Sequence, residues 1–363
     1  MDLSEPRTLM LIGALSIGGV FGVTARLSGF CLRSAIIEVI ERRSGNQFVA
    51  WLTALAVAVV TTQALVFSGV VDLGESIYLT SDITWLATIP GGLLFGLGMV
   101  LTRGCGGRHL VLAAGGNLRS WIVLTFLGLT AYMTLRGILS LPRTWLESVA
   151  SVPADVATTS LGTAAASAFN TPAAPASFAV ALVIGASCLV AVIRARPENG
   201  HGTPIIAGAI IGLTIAAGWY VTNVVGLDEF EPIRTESISF TSPLGNAIQY
   251  LLTYTGNQAN FGIAVIGGTL VSAFLTAAAT RGLNLQGFDT PRHLLLYIGG
   301  AAMMGFGGVL ALGCTVGAGL TGVSTLSVVS VIALISIVAG ATIGHCVKVG
   351  SFGARATEVV PAE

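Results

Sequence analysis

The stretch GGLLFGLGMVLTRGCGGRHL, residues 91–110, returns as GGAAMMGFGGVLALGCTVGAGL, residues 299–320. Aligned on Cys105 and Cys314, which stand 209 residues apart, Gly91, Gly96, Gly98 and Gly104 fall on Gly300, Gly305, Gly307 and Gly313. Each copy is a long apolar run spaced by glycine and closed by Gly-Cys. A duplicated apolar segment that ends in an unwound Gly-Cys is poorly suited to a soluble core. It suits the lining of a path through a membrane, where broken helices are tolerated only if protein or a watery cavity shields their backbone.

The composition around these copies fixes the class. Hydrophobic residues make up 53% of the 363-residue chain and charged residues only 9%, with a formal net charge of zero. The mean hydropathy is +0.85. Soluble domains carry about 25% charged residues, so an all-α polytopic membrane protein is expected, and no nucleic-acid partner. Residues 293–347 contain no Lys, Arg, Asp or Glu. That exceeds two spans of about 20 residues, so a short segment must also sit at membrane depth. The N-terminal MDLSEPRT leads directly into a full-length apolar span, and no cleaved signal peptide is expected.

Nine spans are predicted, at about 8–29, 48–70, 84–102, 119–141, 176–194, 204–226, 259–280, 294–312 and 325–347. Four apolar segments are too short to cross, at about 30–42, 106–116, 242–254 and 315–322, and are expected to re-enter from one side. The repeat extends to SGFCLRSAI (28–36) against SISFTSPLG (237–245), which sets Cys31 opposite Thr241. The chain therefore divides into a first repeat (1–149), an external linker and connector span (150–200), and a second repeat (201–363). Four crossings per half, joined by one connector, turn the second half upside down. Inverted repeats with short, Gly-interrupted segments at matching positions point to a substrate site near the midplane.

Basic residues orient the spans. With the N-terminus outside and the C-terminus inside, Arg33, Arg42, Arg43, Arg103, Arg108, Arg119, Arg194, Arg196, Arg281, Arg292, Lys348 and Arg355 face the cytoplasm. Arg7, Arg136, Arg143 and Arg234 lie outside, as do the acidic groups Asp72, Glu75, Asp82, Asp228, Glu229, Glu231 and Glu236, while Arg26 sits within the first span.

Of the five cysteines, Cys188 and Cys346 read as small apolar fillers. Cys31, Cys105 and Cys314 each stand at a helix break. Gly104 and Gly313 can take backbone angles closed to other residues, and a half-helix restarting after each cysteine aims free N–H groups and a positive dipole end at it. Such a place attracts anions. A disulfide among the three needs Cα atoms within about 7 Å, and a soft-metal site is the other alternative. No CxxC or HxxxH accompanies the thiols, and His109, His293 and His345 are scattered. Gly92, Gly96, Gly98 and Gly300 also suit close helix packing. Arg26, Arg103 and Arg108 either snorkel to the interface or complement an anion, Arg108 foremost. The candidate substrate-binding set is Cys31, Cys105, Cys314, Gly104, Gly106, Gly313, Thr315, Thr241 and Arg108. No acid–base pair, triad or cofactor fingerprint appears, so neither an enzyme nor a cofactor is expected.

These residues resemble a known family. RGCGGRHLVLAAGGNLRSW (103–121) and LALGCTVGAGLTGVSTLS (310–327) are similar to the two Gly-Cys motifs of the YeeE/YedE family of sulfur-compound transporters. GFCLRSA (29–35) resembles its N-terminal cysteine motif, and residues 236–243 also fit. The resemblance covers nearly the whole chain. Where some members carry a polar residue after GCTxG, this chain has Ala318. The resemblance implies uptake of thiosulfate or another small sulfur species, relayed by Cys31, Cys105 and Cys314. It also implies a TusA-like cytoplasmic sulfurtransferase as partner. Other readings are a selenium permease with the same path, a membrane sulfurtransferase or redox protein, and a structural scaffold. A thiolate would repel thiosulfate, a dianion; ordinary thiols stay protonated near neutral pH and apolar burial favours the neutral form. Several weak S–H donors in series hold an anion without trapping it. Carrying a dianion inward against 100 mV costs about 4.6 kcal/mol. With Glu38, Glu41 and Asp289 only near span ends, the expectation is flow drawn by consumption inside.

Overall fold

The computed structural model describes residues 5–41, 45–79, 82–83, 85–150, 152–153, 159–195, 197, 200–227, 234–288 and 290–352. Arg42, Arg43, Arg196, Arg355, Asp228, Glu229, Glu231 and Asp289, which entered the orientation and energetics above, lie outside the described residues. The helices run α1 (Pro6–Ser28), α2 (Leu32–Ile40), α3 (Asn46–Phe67), α4 (Trp85–Leu101), α5 (Gly106–Ala114), α6 (Leu118–Arg136) and α7 (Ser140–Ala150). They continue as α8 (Leu161–Phe169), α9 (Ala173–Arg194), α10 (Gly202–Tyr220), α11 (Thr241–Leu252), α12 (Phe261–Ala279), α13 (Pro291–Leu310) and α14 (Val328–Phe352). Wide π-turns extend α10 over Val221–Val225 and form Gly317–Gly322. A two-residue antiparallel ladder, Asp82–Ile83 on Val152–Pro153, is the one paired-strand element among the described residues.

The chain is an all-α polytopic membrane protein. Nine helical stretches among the described residues are long and apolar enough to cross a bilayer, at the positions expected. Leu15, Val183, Leu213, Val271 and Ile335 project from them exposed, which suits a surface solvated by acyl chains rather than water. The four short segments are α2, α5, α11 and the 317–322 turn. Two further features were not expected. Two short helices, α7 and α8, occupy the stretch before the connector span. Part of that stretch is also structural: the Leu161 N–H donates to the Leu326 carbonyl at 2.9 Å and the Val328 N–H to Thr159 at 3.2 Å. Residues 159–161 thus brace the chain that follows the second Gly-Cys element.

Helices pack across the two halves of the sequence: α1 on α12 and α3 on α10, α4 on α14 and α6 on α13, with α4 and α13 together in the middle. Small residues allow this. A Cβ at Gly96 would collide with the Ile337 carbonyl, one at Gly98 with the Gly300 carbonyl, and one at Gly340 with the Leu93 carbonyl. Helices in contact with lipid gain little from apolar burial against one another, so backbone-to-backbone approach of this kind carries the association. The end of α1 and the α5–α6 turn lie together with the α12–α13 loop: Arg26 donates to the Gly282 carbonyl at 2.7 Å, and the Leu118 and Asn284 N–H groups bond Gln286 and Gly115 at 3.0 Å each. This is the arginine-rich end of the bundle. The start of α1, the end of α6 and the start of α12 form the opposite end.

Candidate functional site

Each broken helix delivers a cysteine to the interior. Gly29 ends α1 in the left-handed region, φ 68°, and two residues later Cys31 caps α2 in an extended conformation. Cys105 caps α5 in the same way. Cys31, Cys105 and Cys314 are buried at 3%, 4% and 1% exposure, and all are free thiols. The Ser34 N–H faces the Cys31 sulfur and the Arg108 N–H faces that of Cys105, while the Gly317 N–H donates to Cys314 Sγ at 3.3 Å. All three sulfurs thus sit at the positive end of a restarted helix or turn.

The break geometry differs from the expectation in one respect. At the first motif the left-handed residue is Arg103, φ 64°, rather than Gly104. At the second, Leu312 (φ 55°) and Gly313 (φ 154°) share the reversal. In both copies the residue before the glycine carries the left-handed turn. The Gly104 N–H and the Gly313 N–H then bond back to Met99 at 3.0 Å and Gly308 at 2.7 Å.

The two Gly-Cys breaks meet. The Thr315 hydroxyl faces the Cys105 thiol, and Cys105 faces Cys31. Gly106 and Gly107 lie against Phe240, the residue before Thr241, and Phe240 packs on Phe21 with ring centroids 5.1 Å apart. Thr241 opens α11 next to Gly308, with its hydroxyl buried and unpartnered. Arg108 reaches across to Gly29 and the Cys31 thiol. Every residue of the sequence-derived set therefore lies at one of these breaks. Cys188, on α9, and Cys346, exposed on α14, do not.

Several contributors carried no sequence signal of their own. His109, one turn after Cys105, bonds Ser120 Oγ through Nδ1 at 3.0 Å, and its Nε2 is buried without a partner beside Gly104. The turn after Cys314 is held from behind: Thr321 Oγ1 donates to the Ile238 carbonyl at 2.6 Å, Gln63 to the Ser324 carbonyl at 2.8 Å, and Trp219 Nε1 to Ser324 Oγ at 3.0 Å. Tyr78, from the loop after α3, is buried against Gly322 and Trp219 and lies in electrostatic reach of both Cys314 and Glu236. Burial pushes its phenol well up, so it stays neutral. Phe240 could have been found, because the Phe-Cys of 30–31 matches the Phe-Thr of 240–241.

At the end opposite the arginine-rich one, a cavity of about 480 Å³ opens between α1, α6, α11 and α12. Arg7, Arg136, Arg234 and Glu236 line it, with Asn246, Gln249 and Tyr250. Burial raises the Glu236 carboxyl to about 7, with the Gly262 N–H and Arg234 pulling the other way. Glu236 was expected among the acids on the outer side; it is half-buried in the wall of this cavity. Among the described residues no group of three or more His, Cys, Asp or Glu side chains gathers to hold a metal ion.

Comparison with known proteins gives the lineage. The chain is 27% identical over 330 residues to the thiosulfate transporter TsuA of Escherichia coli (strain K12), covering 86% of this chain and 87% of that protein. It is 26% identical over 312 residues to the thiosulfate transporter TsuA of Spirochaeta thermophila, covering 85% and 90%. The family model described as sulphur transport matches residues 27–343. This chain therefore belongs to the sulphur transport (YeeE/YedE) family and is a membrane transporter of sulfur compounds.

Proposed function

We propose that this protein takes up thiosulfate across the bacterial inner membrane, passing the anion inward along Cys314, Cys105 and Cys31 as neutral thiols. The observation that carries this reading is the meeting of the two breaks, where Thr315 faces Cys105 and Cys105 faces Cys31. On one side Tyr78 lies within electrostatic range of both Cys314 and Glu236, which lines the arginine-bearing cavity; on the other, Arg108 lies within electrostatic range of Cys31. Neutral S–H groups and a hydroxyl offer weak donors in series, which hold an anion without trapping it. The unpartnered Thr241 hydroxyl and His109 Nε2 are polar atoms that a passing oxyanion would satisfy.

In this account the N-terminus and the cavity lie outside and the arginine-rich end faces the cytoplasm, as the positive-inside bias favours. The two halves, 1–149 and 201–363, form an inverted pair joined by the 150–200 segment; the exchanged packing of α1 with α12 and α3 with α10 supports that. Cys31, Cys105 and Cys314, flanked by Gly104, Gly106 and Gly313, contact the substrate with Thr315, Thr241 and Arg108. A TusA-like sulfurtransferase consumes the delivered thiosulfate. The test is growth of a sulfate-assimilation-deficient host on thiosulfate as sole sulfur source. Growth that requires this chain supports the proposal; growth independent of it contradicts it.

One observation favours a second reading. Cys31 and Cys105 face one another as free thiols, an arrangement that also suits persulfide or disulfide chemistry. Trapping a persulfide on either residue during turnover would favour that reading.

A further inference from the structure

Among the described residues, the arginine-rich end carries guanidiniums that form no ion pair. Arg33, on the first turn of α2, and Arg108, on the first turn of α5, are both within electrostatic range of the Cys31 thiol, and the Arg108 guanidinium lies against Gly29; Arg33 is also within range of Arg103, and Arg108 of Arg26. Arg26 is engaged, donating to the Gly282 carbonyl at 2.7 Å. The side chains of Arg33, Arg103 and Arg108 make no hydrogen bond or ion pair to another described residue, and Nε of Arg33 is buried without a partner. Nearby carboxylates are turned elsewhere. Glu38 accepts from the Gln47 and Phe48 N–H groups at 2.8 and 3.0 Å. Glu41, the acid in reach of Arg33, pairs with His345 Nε2 at 3.2 Å.

Arg103 is exposed while Arg33 and Arg108 are half-buried, and like charges brought together at a partly buried edge disfavour each other unless a counter-charge enters. Planar guanidiniums present forks of N–H donors matched to oxyanions, and two or more of them discriminate a dianion from a monoanion by charge. We propose that Arg33, Arg103 and Arg108 form a binding site for a divalent oxyanion at the inner end of the path, where the substrate rests after leaving Cys31. Its role in transport rests on the thiol path; its existence rests on the arginines. The same chemistry would accept the phosphate of an anionic lipid, and the experiment separates the two.

The full-length protein in neutral detergent is titrated calorimetrically with thiosulfate, sulfate and nitrate. The dianions bind and nitrate binds at least about tenfold more weakly. Arg33→Gln and Arg103→Gln each weaken dianion binding about tenfold or more without moving the thermal transition, and Arg33→Lys restores part of it. Arg143→Gln, on α7 and paired with Glu147, leaves this binding component unchanged. Affinities unaltered in both arginine-to-glutamine variants would overturn the proposal. In nanodiscs, raising the phosphatidylglycerol fraction leaves thiosulfate affinity unchanged; competitive loss would assign the arginines to lipid phosphate and overturn it. The Cys31→Ser/Cys105→Ser double variant retains dianion binding while losing uptake. If it retains both, the thiol path fails and the arginine site stands.

Discussion

Gly104 and Gly313 occupy equivalent places in the two Gly-Cys motifs, yet replacing each by alanine should give very different results. Gly313 has φ 154°, and a Cβ there would stand 2.5 Å from the Ala318 nitrogen and 2.9 Å from the Gly317 carbonyl carbon. Both are backbone atoms of the turn that follows Cys314. Holding an L-residue in that region costs about 1–3 kcal/mol. The clash is relieved only by opening the turn, at the expense of the Ala318-to-Cys314 bond (2.8 Å) and the Gly317 contact to Cys314 Sγ (3.3 Å), each about 1 kcal/mol. The sum for Gly313→Ala is about 3–5 kcal/mol, spent either as lost stability or as a displaced Cys314. At about 1.4 kcal/mol per decade, a loss of that size removes most transport. Gly104 has no left-handed φ, and its Cβ would meet only side-chain atoms: His109 Nε2 at 3.1 Å and Arg108 Cγ at 3.4 Å. Gly104→Ala should cost less than about 1 kcal/mol, within the range of mild substitutions, and keep uptake within a few-fold of the parent. The assay is radiolabelled thiosulfate uptake normalised to inserted protein, beside thermal unfolding in detergent. Equal losses at the two sites, or a neutral Gly313→Ala, would refute this account of the break.

Other expectations follow from the same contacts. Because burial raises the Glu236 carboxyl to about 7 from 4.5, the folded state holds its proton more tightly than the unfolded state; stability falls as pH rises through that window and is not regained above it, by at most about 3 kcal/mol. Uptake should likewise fall from about pH 6 to 8 as a negative charge appears among Arg7, Arg136 and Arg234, and Glu236→Gln should flatten both profiles. Ser324→Ala strands the buried Trp219 N–H and should cost about 1–3 kcal/mol, read as a lower unfolding temperature. Thr241→Val replaces an unpartnered buried hydroxyl by an isosteric methyl; the fold should be at least as stable while uptake falls about tenfold. Cys188→Ser, away from the breaks on α9, should leave uptake unchanged.

The spans and breaks were legible because bilayer thickness and backbone satisfaction leave so few solutions: apolar runs of the right length become helices, and Gly-Cys or Ser-Gly-Phe-Cys interrupts them. The short segments α2, α5 and α11 were found on the same ground. Charge-poor sequence says little about which face of a span turns inward, so the partners across the halves could not be read. His109 appeared only as a scattered histidine; its position behind Cys105 depends on Ser120, in the next helix. Trp219, Gln63 and Ser324 are 105 or more residues apart along at least one of their contacts, and nothing local announces that they brace one turn. Glu236 sat among loop acids until folding placed it in the cavity. The helix α8 lies in a Thr/Ala/Ser/Pro-rich stretch whose composition suggests a linker, and α7 follows directly on a predicted span. Gly104 has the most backbone freedom of its motif, yet the left-handed angle falls on Arg103, whose side chain is exposed at the arginine-rich end.

The central claim is that Cys31, Cys105 and Cys314 each contact thiosulfate in transit. Its most direct test is thiosulfate uptake by cells carrying Cys31→Ser, Cys105→Ser or Cys314→Ser singly, with membrane insertion of each variant quantified. The account predicts that all three insert normally and that each loses most of its uptake. Normal uptake by all three inserted variants would contradict it.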